Sequence, residues 1–308
     1  MRFKAIVGRF LAVVAVMLSG AAHAGYSQMY VFGDSTSDTG LFKQITGYPT
    51  TPFFHEGRFS NGPVAAEYLA ESLGLTLTAG VNNFAVGGAF SGYGNNVVWP
   101  GLENTGMFNQ FDAYQSSVGV ADPDALYFIW GGSNNFNACF WFSCTPTQIQ
   151  AVADNISSLV TNLAAMGAQH FFVSNLYAMN PMAATFNGNL EANMNTLIGN
   201  GLDITYFDAR AVMEQMYAPT NPWGFTVNYT GCYVGSVGNQ ISVCANPDTY
   251  IWGYSGHLTA ASNRVMGEAM IAAMPSQVPA EIPEPQTVML LALGLLGLVA
   301  PKRWFAAK

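Results

Sequence analysis

Residues able to do covalent chemistry cluster first at Gly33-Asp34-Ser35, where the apolar run from Gln28 to Phe32 breaks into a turn rich in Gly, Ser, Asp and Thr. A serine at the C-terminal end of a buried strand carries its hydroxyl to the sheet edge, where open α/β folds keep their ligand crevices. Three further segments stand at comparable places: Gly87-Gly88, Gly132-Ser133-Asn134, and His257 ahead of the last helix. Acyl transfer needs a nucleophile, a base and donors for the oxyanion. Ser35 can be the first and His257 the second. The N–H groups of Ser35 and Gly88 and the side-chain amide of Asn134 can be the third, with Gly87 an alternative to Gly88. Asp34 and Gly87 are candidates for substrate contact, and Asp34 or Asp38 can equally serve the turn by accepting N–H bonds. No serine has glycines two before and two after it, so the nucleophile elbow of α/β-hydrolases is absent.

The elements that must position these groups follow from apolar patterning. Strands are predicted at 28–32, 81–89, 125–130, 170–174 and 203–207. Ala125–Trp130 is a continuous apolar run suited to burial on both faces. Helices are predicted after Asn61 (a candidate N-cap) to Gly74, and at 107–118, 147–166, 186–199, 209–217 and 259–274. Residues 218–250 read as a loop. Strands alternating with helices imply a parallel sheet covered on both faces, in one three-layer α/β/α domain.

The chain has 308 residues and a net charge of −8. Between residues 25 and 280 the basic residues are Lys43, Arg58, Arg210 and Arg264. Phosphate binding depends on clusters of Lys and Arg, so nucleic acid is excluded as a partner. Arg2, Lys4 and Arg9, the apolar run from Phe10 to Leu18 and Ala22-His23-Ala24 have the layout of a secretory signal peptide over residues 1–24. In an exported protein the four cysteines are expected as disulfides, with the sequence neighbours Cys139–Cys144 and Cys232–Cys244 favoured. No Cys-x-x-Cys occurs, and no metal or other cofactor is expected. If exposed, Phe140-Trp141-Phe142 would form an apolar rim able to grip an acyl chain. His55 and His170 read as structural, with His55 in a polar loop that could border the site.

The segments GDSTSDTG, GRFSNGPVAAEYLAESLGL, NNFAVGGA, WGGSNN, NPWGF and CANPDTYIWGYSGHLTAASN resemble the ordered blocks of the GDSL, or SGNH, lipase/esterase family over residues 28–273. That resemblance implies a flavodoxin-like domain over residues 25–277 that hydrolyses carboxylic esters without metal. It implies Ser35 as nucleophile, Gly88 and Asn134 as oxyanion donors, and His257 as base. Two departures bear on activity. The Asp that the family commonly has three residues before the histidine is Tyr254, and the Asp after the block-three asparagine is Asn135. Three explanations stay open: a backbone carbonyl orients His257 in a Ser-His dyad, Asp248 reaches it, or the enzyme is weakened or inactive. An inactive relative would bind acyl or carbohydrate groups. Acyl transfer to an alcohol is a further possibility.

Residues 278–308 resemble a PEP-CTERM sorting tail: Pro283-Glu284-Pro285, an apolar run from Val288 to Ala300, then Lys302-Arg303. The resemblance implies processing by an exosortase-type system, with delivery to the surface and transient membrane anchoring by residues 288–300. The expected partner is an ester substrate: a lipid, a small acyl ester or an acylated polysaccharide.

Overall fold

The structure, a computed structural model, describes residues 25–139 and 143–275. The expected signal peptide, the Phe140–Phe142 rim and the sorting tail lie outside the described residues. Tyr26–Pro275 form one compact unit.

The scaffold is a parallel sheet of β1 (Met29–Gly33), β2 (Leu126–Trp130), β3 (His170–Ser174) and β4 (Asp203–Phe207), in that spatial order. Every residue of β2 is buried, as its unbroken apolar run requires. Side chains alternate across the pleat. Phe32, Tyr127, Ile129, Phe171 and Val173 enter one core. It is covered by α3 (Met107–Val118), α4 (Pro146–Ala165) and α5 (Pro181–Gly199). Val31, Leu126, Phe128, Trp130 and Phe172 enter the other. That one is covered by α2 (Ala65–Ser72), α6 (Ala209–Tyr217) and α7 (Ala260–Ala273). Each fully buried Phe or Leu contributes about 1.5–3 kcal/mol over leaving it exposed, so the two cores hold the sheet rigidly between them. The three layers are those expected.

The strand predicted over 81–89 is reduced to an extended segment on the free side of β1. Val31 N–H donates to Asn82 O at 2.9 Å, Phe84 N–H to Val31 O at 2.9 Å, and Val86 N–H to Gly33 O at 3.3 Å, with a single bridge to β1 at Val31–Asn83 among the described residues. The chain therefore leaves β1 on one side for this segment and returns on the other side as β2. Such a reversal opens a crevice at the carboxyl ends of the two strands involved. Ser35 follows β1, and Ser133 and Asn134 follow β2.

Several local expectations are corrected. Helix α2 starts at Ala65, and Asn61 does not cap it: Asn61 Oδ1 accepts from Ala260 N–H at 2.8 Å, at the start of α7. Asn263 on α7 returns the bond, accepting from Ala65 N–H at 3.1 Å, so the two helices cap each other. Helix α5 starts at Pro181, behind the cap Asn180, whose side chain accepts from Ala183 N–H. Between the Ser35 turn and Asn61, where no element is predicted, residues 41–46 form helix α1 (Leu41–Thr46).

The stretch expected as loop also carries strands. These are β5 (Val227–Gly231) paired with β8 (Tyr250–Trp252), and a hairpin of β6 (Tyr233–Ser236) and β7 (Asn239–Val243). Disulfide Cys232–Cys244 closes the base of that hairpin, and Cys139 pairs with Cys144. No helix among the described residues is long and apolar enough to cross a membrane.

Candidate active site

Gly33 ends β1 against the carbonyl of Trp130, so close that a Cβ at residue 33 would collide with it. The chain then turns about Asp34. Its carbonyl accepts from Ser37 N–H and Asp38 N–H, both at 3.1 Å. Its Oδ1 accepts from Thr36 N–H at 3.0 Å and Thr36 Oγ1 at 2.9 Å. Oδ2 accepts from Ser133 Oγ at 3.1 Å and Asn134 Nδ2 at 3.3 Å. Asp34 is 1% exposed, and burial raises its pKa against the lowering pull of these donors. The Asp34 carboxylate thus serves the turn and the loop after β2, and it lines the same cavity as Ser35 and His257. The turn leaves Ser35 Oγ pointing at His257, with its oxygen 2.7 Å from Nε2.

His257 ends a tight turn from Tyr254, with Ser255 at φ 46° and Gly256 at φ 80°. Positive φ at both central residues is the mark of a type I′ turn. The Tyr254 carbonyl accepts twice, from His257 N–H at 2.8 Å and from the ring Nδ1 at 2.8 Å. A carbonyl can only accept, so Nδ1 carries the proton and Nε2 is left as an acceptor for the Ser35 hydroxyl. Gly253 N–H donates to His257 O at 2.8 Å, and Tyr177 Oη to Gly256 O at 3.0 Å, which pins the turn from both sides. The imidazole stacks on Phe59 at 5.0 Å between centroids and runs parallel to the Tyr254 ring at 6.2 Å. Burial pushes its pKa below the ordinary histidine value, while the Tyr254 carbonyl, favouring the charged ring, pulls it up. Asp248, the alternative partner for Nδ1, is exposed on a 3-10 turn from Pro247 to Thr249. The place it would take at the ring is held by a main-chain oxygen.

The two glycines separate on the evidence of Asp38. This fully buried carboxylate accepts four N–H groups: Gly40 and Leu41 at 2.7 Å, Phe42 at 3.1 Å and Gly87 at 2.8 Å. Burial pushes its carboxyl up to about 6 against the pull of those donors. Gly87 N–H is therefore spent, and Gly87 O accepts from Asn95 Nδ2 at 2.9 Å. Gly88 has φ 82°, and its carbonyl accepts from Asn96 N–H at 2.8 Å. Among the described residues no acceptor takes the N–H of Gly88 or of Ser35. Asn134 Nδ2 also contacts Ala89 O at 3.2 Å, a long bond like the one to Asp34, so one of two weak bonds must be exchanged before the amide can serve a ligand. Asn135, where the family resemblance led one to expect Asp, holds the facing loop by accepting from Ser91 N–H at 2.8 Å.

Ser35, His257, Gly87, Gly88 and Asn134 line one cavity of about 670 Å³, within the range of small-molecule sites. Phe42, Phe59, Trp130, Tyr177 and Trp252 form aromatic walls, and Val237, between the strands of the stapled hairpin, reaches it. His55 is exposed, 3.8 Å from Glu56, and His170 pairs with Asp203 at 2.6 Å across the starts of β3 and β4. Phe59 and Tyr177 escaped the sequence reading as parts of this site, and no local signal marks either. Asp38, read as a turn acceptor, takes the N–H groups that open α1 and also that of Gly87.

These features can be set beside known proteins. The profile of the GDSL-like lipase/acylhydrolase family matches residues 29–270, and that of the PEP-CTERM protein-sorting motif matches residues 281–303. The chain is 28% identical over 248 residues to a phosphatidylcholine-sterol acyltransferase of Aeromonas hydrophila, covering 73% of this chain and 71% of that protein. It is 23% identical over 348 residues to the GDSL esterase/lipase ACHE of Zea mays, covering 82% of this chain and 87% of that one. Among solved structures it is similar to a tail fiber protein from an E. coli phage, at 15% identity and a TM-score of 0.43. That likeness covers 80% of this chain and 26% of the tail fiber chain, so this chain spans about a quarter of its length. With a profile match running from β1 into α7, the chain belongs to the GDSL-like lipase/acylhydrolase family.

Proposed function

We propose that the protein is an exported serine ester hydrolase that works through an acyl-Ser35 intermediate. The observation that carries this reading is the 2.7 Å contact between Ser35 Oγ and His257 Nε2 inside the cavity. In the first half-reaction Ser35 Oγ attacks the ester carbonyl while its proton passes to Nε2. The N–H groups of Ser35 and Gly88 and the Asn134 amide face the oxyanion as it forms. The C–O bond then breaks and the proton leaves with the alcohol. Water, deprotonated by His257, releases the acid in the second half. His257 works as one member of a Ser-His dyad, steadied by the Tyr254 carbonyl rather than by a carboxylate. A carbonyl fixes the tautomer but offers the imidazolium less charge stabilisation than Asp does, so turnover should be slower than with a full triad.

Residues 1–24 are assigned as a signal peptide, 25–277 as the hydrolase domain and 278–308 as a sorting tail. The PEP-CTERM match supports delivery to the surface by an exosortase-type system, with residues 288–300 as a transient anchor. The substrate is a carboxylic ester.

The test is labelling with a fluorophosphonate, mapped by mass spectrometry, beside hydrolysis of p-nitrophenyl esters. Adduct on Ser35, with turnover abolished in a folded Ser35→Ala variant, is the expected result. Full turnover in Ser35→Ala would sink the assignment. A second reading, acyl transfer to an alcohol, is favoured by the relative named as an acyltransferase. Quantifying new ester against free acid when an acceptor alcohol is present separates the two.

A further inference from the structure

We propose that the cavity selects uncharged esters and turns away substrates that carry a negative charge close to the scissile carbonyl, an inference that rests on the hydrolase reading of the same site. Among the described residues no Lys, Arg or Glu lines the cavity. Its one carboxylate, Asp34, is buried and already accepts four hydrogen bonds. The described arginines are engaged elsewhere: Arg58 with Glu67 and Glu56, Arg210 with Glu214, and Arg264 with Glu268. Lys43 is exposed on α1 and does not line the cavity.

An anionic group entering here would give up its hydration without gaining a cation. The walls are Phe59, Trp130, Tyr177 and Trp252, with Val97 and Met179. Aromatic faces carry negative quadrupole density, so they repel an anion and tolerate a neutral or cationic group. The oxyanion that forms on attack would then be a second negative charge in the same small space. At an effective dielectric near 20 and a separation of roughly 7 Å, that repulsion alone corresponds to a rate loss on the order of 50-fold. Neutral acylglycerols and acylated sugars fit these terms. Esters with a phosphate or carboxylate beside the carbonyl do not.

The experiment compares phenyl butyrate, 4-sulfophenyl butyrate and 4-trimethylammoniophenyl butyrate, with each kcat/KM normalised to the rate with hydroxide. The sulfonate is expected to fall at least about 30-fold below the neutral ester, with the trimethylammonium ester close to the neutral one. A Met179→Lys variant, which places a cation on the wall, should raise the ratio of sulfonate to neutral activity at least about 5-fold. Equal rates for sulfonate and neutral ester overturn the inference, as does an equal loss for the cationic ester, which would make size the cause. Fluorophosphonate labelling is run in parallel. Labelled Ser35 with indifferent charge preference removes this inference and leaves the hydrolase reading standing. No label and no turnover of any ester removes the hydrolase reading, and this inference with it.

Discussion

Replacing Asn134 by Ala tests the oxyanion site most directly, because the other two proposed donors are main-chain N–H groups that only proline deletes, at the cost of the local backbone conformation. Loss of one side-chain oxyanion donor costs ~2.7–4 kcal/mol of transition-state stabilisation in the best-measured case. Here the amide starts in two long bonds, 3.3 Å to Asp34 Oδ2 and 3.2 Å to Ala89 O, and must surrender one of them to reach the oxyanion. A neutral hydrogen bond is worth ~0.5–1.5 kcal/mol net, so the net gain from Asn134 is about 1.2–3.5 kcal/mol. Asn134→Ala is therefore expected to lower kcat by roughly 8- to 400-fold, with little change in KM. Asp34 Oδ2 keeps Ser133 as a partner in the variant. The stability loss should stay near 1–2 kcal/mol, a fall in Tm of roughly 2–8 °C. Steady-state kinetics on a p-nitrophenyl ester, the rate of fluorophosphonate labelling and thermal denaturation read the three quantities. A kcat within 3-fold of wild type would refute the assignment of Asn134 as a donor. Collapse of the fold with proportionate loss of activity would make it a structural residue instead.

Three other perturbations probe the histidine. Tyr254→Phe removes the phenol but not the carbonyl on Nδ1, so turnover should stay within about 2-fold if the main chain steadies His257; a loss approaching the 10⁴-fold effect of a missing triad carboxylate would point to the hydroxyl. Gly256→Ala puts a side chain at φ 80° in open space, a strain of about 1–2 kcal/mol. Three hydrogen bonds hold that turn, together worth ~1.5–4.5 kcal/mol, so Tm should drop by several degrees while kcat stays within 10-fold; loss of activity at unchanged Tm would contradict this. Because burial lowers the pKa of His257, the base stays neutral to a lower pH than an ordinary histidine. The acid limb of kcat/KM should fall below about 6.5. By the same linkage, the unfolded chain binds this proton first, so His257 contributes a loss of stability as pH drops below about 6.5. A limb at or above that value would contradict the burial.

The sheet was legible because β2, β3 and β4 are short apolar runs between turn signals, and because both cores draw on alternate residues of those runs. The candidate site was legible for a similar reason: Ser35 and Asn134 follow strand ends, His257 precedes a helix, and the structure brings all three to one cavity. What escaped depends on contacts distant in sequence or on groups with no side-chain identity. The hairpin at 233–243 is glycine-rich and fully exposed along β7, so it lacks the alternation that betrays a strand, and the Cys232–Cys244 staple supplies the restraint instead. Helix α1 is six residues long, and Asp38, outside its span, satisfies its first N–H groups. Asn61 was read as the cap of its own helix, whereas it serves the helix some 200 residues on. The choice between Gly87 and Gly88 turns on a bond from residue 87 to residue 38, which no local pattern encodes. The partner of His257 is a peptide oxygen, invisible to any search for acidic residues.

That last feature changes how the site meets mutation. A carboxylate that steadies a catalytic imidazole is one codon away from being lost, and its position is closed to drift. A peptide oxygen is carried by every amino acid, so residue 254 can vary in side chain while the restraint on Nδ1 persists. The vulnerable positions move to those that set the shape of the turn, Ser255 and Gly256 with their positive φ. Selection on this histidine acts on backbone conformation, and the aromatic ring at 254 is left to pack against Phe54 and Tyr233.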